Sequence, residues 1–200
     1  MAGLSERTKR LRLIAAAFCA GLASVFLVMM FITNNTPSAV VPSAVGGPFK
    51  LTDQNGAAVT DTDLKGKPFL VFFGFTHCPD VCPTTLFEVS EVMRALGPKA
   101  DGTRALFVTV DPERDTPKVM KDYLSSFDPH LIGLSGTPEA IEKMTKAYRV
   151  YSRKIPTKDG DYTMDHTALV YLMDKQGRFV APFNLKRKPE EAAADLSRYL

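Results

Sequence analysis

The stretch that most constrains this chain is Phe69 to Thr85, FLVFFGFTHCPDVCPTT. Five consecutive apolar, β-favouring residues, Phe69 to Phe73, fit a strand covered on both faces, because a half-exposed strand would alternate polar and apolar. Gly74 interrupts the run, and Cys78 and Cys82 follow, with Pro83 directly after. Proline suits a helix's first turn, where its missing N–H needs no partner, so the spacing predicts a helix starting at Pro83 with Cys82 at or beside its N-cap. A strand, a thiol loop and a helix start in that order put two sulfurs near outward-pointing N–H groups and the positive end of a helix dipole. Both favour thiolate over thiol.

Upstream, Leu13 to Ile32 is an uncharged run that would reach about 30 Å as a helix, one bilayer core. Arg7, Lys9, Arg10 and Arg12 precede it. The sequence divides into a basic segment over 1–12 on the cytoplasmic side, a transmembrane anchor over 13–32, a tether over 33–48 and a folded domain over 49–200 across the membrane. A cleaved signal peptide is the rival reading, with Pro37-Ser38-Ala39 as its cleavage point, but the apolar run is longer than such peptides use. The tether, TNNTPSAVVPSAVGGP, has a linker's composition. The layout fits a bacterial inner-membrane protein whose domain lies in the periplasm. The alternative is the mitochondrial inner membrane, with the domain in the intermembrane space.

Composition excludes some functions. The chain carries 25 basic and 22 acidic residues. The +3 excess sits wholly before residue 33, so the remainder is balanced and lacks the basic face that nucleic-acid binding needs. Cys19 lies in the apolar run, which leaves Cys78 and Cys82 as the domain's only thiols, too few for a disulfide scaffold.

Further along, Asn55-Gly56 marks a hairpin between 49–51 and 58–60. A helix with Leu86, Val89, Met93 and Leu96 on one face ends at Gly97-Pro98. A second buried strand covers 105–110, and Thr116-Pro117 and Thr137-Pro138 open two more helices. Strands are expected over 131–134, 151–155, 167–173 and 178–180, with Pro156 to Asp165 a mobile polar loop or hairpin tip and a helix over 189–200. Early strand–helix alternation gives parallel strands, and the closing hairpin adds antiparallel ones. The expected fold is α/β, a mixed central sheet flanked by helices, with the thiols at the C-terminal end of a central strand, where such sheets place ligand sites.

Cysteines four apart on one helical turn can chelate a metal or close a small disulfide ring. They can also be plain packing residues. As thiolates they are soft donors suited to Cu(I), and an imidazole would complete a three-coordinate site that also accepts Cu(II). Of the domain's histidines, His77 adjoins Cys78 and so points elsewhere, and His130 has a surface-turn setting. His166, where the polar loop enters a strand, is the candidate third donor. Met164 is either an auxiliary soft ligand or loop packing. Asp111 to Pro117 reads as a turn and helix cap, with partner docking as the alternative.

Three separated motifs, GFTHCPDVCP at 74–83, VDPERDTP at 110–117 and DHT at 165–167, resemble the Sco/SenC family over about residues 49–200. The resemblance implies a thioredoxin-like fold and a copper metallochaperone serving the dinuclear copper site of cytochrome c oxidase subunit II. It implies copper, as Cu(I) and Cu(II), on Cys78, Cys82 and His166, with Cys78 and Cys82 also able to form a redox-active disulfide. A copper donor chaperone upstream and the oxidase subunit downstream are the expected partners. No enzyme activity is required, although a thiol-disulfide oxidoreductase that keeps the acceptor's cysteines reduced, or a copper or redox sensor, would use the same residues.

Overall fold

The computed structural model describes residues 3–35 and 45–200, which fall into two compact units divided after Val41. The first is the helix α1, Gly3–Asn35. Within it Lys9–Met30 has a mean hydropathy of 2.4 and is long and apolar enough to cross a membrane. Thr33 to Asn35, expected in the tether, continue this helix; the tether's 36–44, including Pro37-Ser38-Ala39, lie outside the described residues.

The second unit is built on a seven-stranded mixed sheet. Its strands are β1 (Lys50–Asp53), β2 (Ala58–Thr60), β3 (Phe69–Gly74), β4 (Arg104–Thr109) and β5 (Leu131–Ser135), joined by β8 (Val170–Met173) and β9 (Phe179–Pro182). The spatial order is β2-β1-β5-β4-β3-β8-β9. β3 pairs with β4, and β4 with β5, in parallel; β3–β8, β8–β9, β1–β2 and β1–β5 are antiparallel. Every residue of β3 is buried, as its unbroken apolar run requires for a strand covered on both faces. Gly74, expected to interrupt the strand, is its last residue, pairing with Thr109.

Four helices cover this sheet: α2 (Val81–Leu96), α3 (Pro117–Leu124), α4 (Pro138–Ala147) and α5 (Pro189–Leu196). α2 buries Leu86, Val89, Met93 and Leu96 and packs against α5, while α3 lies on β5. There Gly133 admits Leu124 and Met120, which would meet an added Cβ at 2.7 and 2.9 Å. The Thr-Pro signals hold: the Thr116 and Thr137 hydroxyls accept from the N–H groups of Val119 and Ala140.

Of the two readings of 156–165, a mobile loop or a hairpin tip, the hairpin holds, and its paired arms take in most of the segment. A two-stranded hairpin forms from β6 (Ser152–Pro156) and β7 (Tyr162–His166), with only its tip irregular. Conversely, the strand expected over 167–173 starts only at Val170. Lys, Asp, Thr and Gly hide a strand from propensity, yet the pairing of Pro156 with Tyr162 through Ser152 with His166 supplies the ladder that local composition does not. On β7, Tyr162, Met164 and His166 share one face. Met164 on that face packs against the core.

Candidate metal centre

The sheet brings the site together. β3 and β4 run parallel, so the loop after each emerges at the same sheet end, side by side. β8 runs antiparallel to β3 with Phe72 opposite Val170, so the residues before Val170 reach that end too. The cysteine loop (75–80), the turn 110–116 and the end of the hairpin at His166 therefore meet there.

α2 begins at Val81, with Asp80 as its N-cap, two residues earlier than Pro83 implied. Cys82 therefore lies inside the first turn rather than at the cap. Pro83 is tolerated there because first-turn N–H groups have no helical acceptor; the first i→i−4 bond runs from Thr84 N–H to Asp80 O. The Cys82 N–H donates to Cys78 Sγ at 3.4 Å, which seats the Cys78 sulfur at the start of α2. Both cysteines are free thiols. Gly74 makes the space: a Cβ on it would lie 2.8 Å from Cys82 Sγ and 2.7 Å from Phe107 Cε2.

His166 approaches from the other side. Its Nε2 lies 3.7 Å from Cys82 Sγ. Its Nδ1 lies 3.2 Å from the Thr167 carbonyl oxygen, which can only accept, so Nδ1 carries the proton and Nε2 presents its lone pair to the sulfur. Phe72 and Phe75 pack edge-on against the ring, with centroids at 6.3 and 5.8 Å. Burial lowers the His166 pKa, against a smaller upward pull from the Thr167 carbonyl, and holds the ring neutral.

Burial also reverses the expectation that Cys82 favours thiolate. Its side chain is wholly inaccessible, and desolvation pushes its pKa far up against a smaller downward pull from a Phe75 backbone hydrogen bond. A Cys82 thiol can donate to the unprotonated His166 Nε2 across the 3.7 Å between them. Among the described residues no three His, Cys, Asp or Glu side chains are gathered closely enough to form a ready metal site.

The other histidines stand apart. His77 Nδ1 bonds the Thr76 hydroxyl. His130 is held between Asp128 and Asp101 at 2.7 and 3.2 Å.

Sequence reasoning undervalued Asp115. It is fully buried in the turn 110–116 and accepts from the Thr76 N–H at 3.0 Å, the Thr76 hydroxyl at 2.6 Å and the Thr109 hydroxyl at 2.6 Å. It thereby fixes the cysteine loop two residues before Cys78. The signal available was an acidic residue in a turn following a buried strand, which reads equally as a cap.

The chain matches the family model described as SCO1/SenC over residues 38–200. It is similar to a SCO2-like protein of Rickettsia felis, 35% identical over 187 residues that cover 90% of this chain and 91% of that protein. It is also similar to the mitochondrial SCO1 homolog of Mus musculus, 42% identical over 159 residues, or 78% of this chain and 56% of the relative. Among solved structures, Bradyrhizobium japonicum ScoI with copper bound is 74% identical with a TM-score of 0.77, covering 78% of this chain and 99% of that one. Yeast Sco1 with copper bound is 38% identical with a TM-score of 0.71, covering 79% and 88%. The fold is thioredoxin-like, as the motif resemblance implied.

Proposed function

The chain belongs to the SCO1/SenC family, and from that premise we propose that it is a membrane-anchored copper metallochaperone. Copper is its cargo, held by Cys78, Cys82 and His166 and passed to the dinuclear copper site of cytochrome c oxidase subunit II after loading by an upstream donor chaperone. α1 would hold it in a bacterial inner membrane with the domain in the periplasm.

The observation that carries this reading is the 3.7 Å approach of His166 Nε2 to Cys82 Sγ, with Cys78 in the loop just before α2 and its Sγ accepting from the Cys82 N–H. Two donors bound to one metal at about 2.0–2.3 Å each lie about 3.5–4 Å apart. The imidazole already presents the correct nitrogen, fixed by the Thr167 carbonyl in the manner of metal-ligating histidines. Thiolates and imidazole are the donor classes that suit Cu(I), and the imidazole extends the site to Cu(II). Similar proteins, Bradyrhizobium japonicum ScoI and yeast Sco1 among them, are known with copper bound. Loading displaces the Cys82 proton, so uptake releases protons and weakens on acidification. Release proceeds by ligand exchange with the acceptor's thiolates rather than by catalysis.

The test is copper binding by the full chain in detergent, reduced and anaerobic, followed by absorption and electron paramagnetic resonance after Cu(II) is added. One copper per chain is expected, with a thiolate-to-Cu(II) band lost in C78A and in H166A, and with H166A retaining Cu(I). Tight Cu(II) binding by H166A would remove His166 from the ligand set. A second reading, a thiol-disulfide reductase acting on the acceptor's cysteines, is favoured by two free thiols whose residues are in contact, the Cys82 N–H donating to Cys78 Sγ. It requires H166A to remain active while C78A and C82A are inactive.

A further inference from the structure

The turn 110–116 touches both sources of donor atoms. On one side Asp115 holds the cysteine loop through Thr76. On the other, Asp111 and Arg114 form a socket for Tyr162 of β7. The Tyr162 hydroxyl donates to Asp111 Oδ1 at 2.9 Å, and the Arg114 guanidinium carbon lies 3.8 Å from the centre of the Tyr162 ring. Arg114 Nη1 donates to the Tyr162 carbonyl at 2.9 Å, and its Nε donates to Asp111. Asp111 is itself fully buried, and its N–H donates to the Thr109 hydroxyl that also serves Asp115. Arg114 Nη2 is buried with no hydrogen-bond partner, so the guanidinium is seated by stacking as much as by polar contacts. Lys154 of β6 adds an exposed strap to Glu113 at 2.6 Å.

Tyr162 and His166 share the inner face of β7, four residues apart, with Met164 packed between them. The hairpin is a separate two-stranded sheet, and such a sheet is marginal by itself. Its root is tied by the bonds between Tyr151 and Thr167. Its far half depends on the Tyr162 socket.

We propose that Arg114 and Tyr162 are positioning residues for His166: the turn 110–116 is a two-armed bracket that sets the imidazole donor against the thiol donors. This rests on the copper-chaperone reading and deepens it, because the socket then governs access to the three-donor state while leaving the two-thiol state intact. Arg114→Ala empties the socket; Tyr162→Phe keeps the ring and removes only the bond to Asp111.

In full-length protein in detergent, Arg114→Ala should lower Cu(II) affinity about 10–100-fold, the range for residues that orient a ligand. Its charge-transfer band and paramagnetic spectrum should move toward those of H166A, with Cu(I) stoichiometry and affinity unchanged. Tyr162→Phe should show the same change in smaller measure and covers the case in which Arg114→Ala fails to fold. Adding Arg114→Ala to H166A should change Cu(II) affinity no further, since both act through one donor. Without copper, amide hydrogen exchange over Thr163 to His166 should quicken in both variants while β4 stays protected. Equal losses of Cu(I) and Cu(II), additivity with H166A, or unchanged exchange in the hairpin would each overturn the bracket. A parent chain that binds no copper would overturn the chaperone reading, and the exchange measurement would still decide the bracket.

Discussion

Replacing Asp115 separates two roles that its position combines. The carboxylate is fully buried and accepts three hydrogen bonds, two at Oδ2 and one at Oδ1. In Asp115→Asn the carbonyl can take the Oδ2 place, and the amide can take the Oδ1 place if the Thr76 hydroxyl turns to accept. The Thr76 and Thr109 groups stay paired, and the loss is mainly charge assistance, about 1–2 kcal/mol over these bonds. In Asp115→Ala the Thr76 N–H cannot reorient, and the buried Thr109 hydroxyl loses its acceptor. Stranding buried donors costs about 1–3 kcal/mol each, which gives about 3–5 kcal/mol with the lost bonds. The six tyrosines all lie beyond residue 122 and tryptophan is absent, so tyrosine fluorescence reports the domain without interference from α1. With a urea slope of about 2 kcal/mol/M, the midpoint of the metal-free, reduced chain should fall by about 0.5–1 M in the asparagine variant and about 1.5–2.5 M in the alanine variant. Equal midpoints for the two, or an alanine shift under about 0.5 M, would refute the assignment of Asp115 as the anchor of the cysteine loop.

Gly74→Ala should cost about 1–3 kcal/mol through overpacking, because the new methyl would meet Phe107 at 2.7 Å and Cys82 Sγ at 2.8 Å. The thiolate-to-Cu(II) band should shift with it, and a parent-like unfolding curve would show that the sulfur has room to move. The two shifted histidines give opposite pH signatures. Burial lowers His166 from 6.5, so its neutral form stabilises the fold above about pH 6.5, and that contribution is lost as pH falls through the folded value. For His130 burial alone would lower the pKa, but bonds to Asp128 and Asp101 raise it overall. Its contribution is therefore full below about pH 6.5 and lost as pH rises through the folded value. His130→Ala should thus destabilise more at about pH 5.5 than at about pH 8, and urea midpoints of H130A with no pH trend relative to the parent would contradict this.

The sequence alone carried what is local. Five apolar residues at 69–73 announced a strand covered on both faces, Asn55-Gly56 a hairpin, and Thr-Pro at 116–117 and 137–138 two helix starts. Each depends on the conformational preferences of a few neighbouring residues. The pair Cys78 and Cys82 was visible for the same reason, since three intervening residues limit their separation, although Cys78 lies in the loop before α2 and not on a helical turn. Pairing hid the rest. Polar residues over 162–166 form a strand only because β6 lies alongside, so His166 ends a strand instead of entering one from a loop. The thiolate expected of Cys82 followed from a nearby helix start, whereas the packing of Gly74 and Phe107 removes water from that sulfur and reverses the preference.

The meeting of Cys82 with His166, 84 positions apart, is a product of sheet order: β3 and β4 point the same way and β8 the other, which places three loops at one end. Asp111, Arg114 and Asp115 were legible as a turn but not as a bracket, because their partners Thr76 and Tyr162 come from separate elements. Sequence determined which side chains could be proposed as donors and the spacing of the two thiols. Tertiary structure decided protonation and reach, because desolvation and long-range pairing depend on neighbours that no local stretch of chain contains.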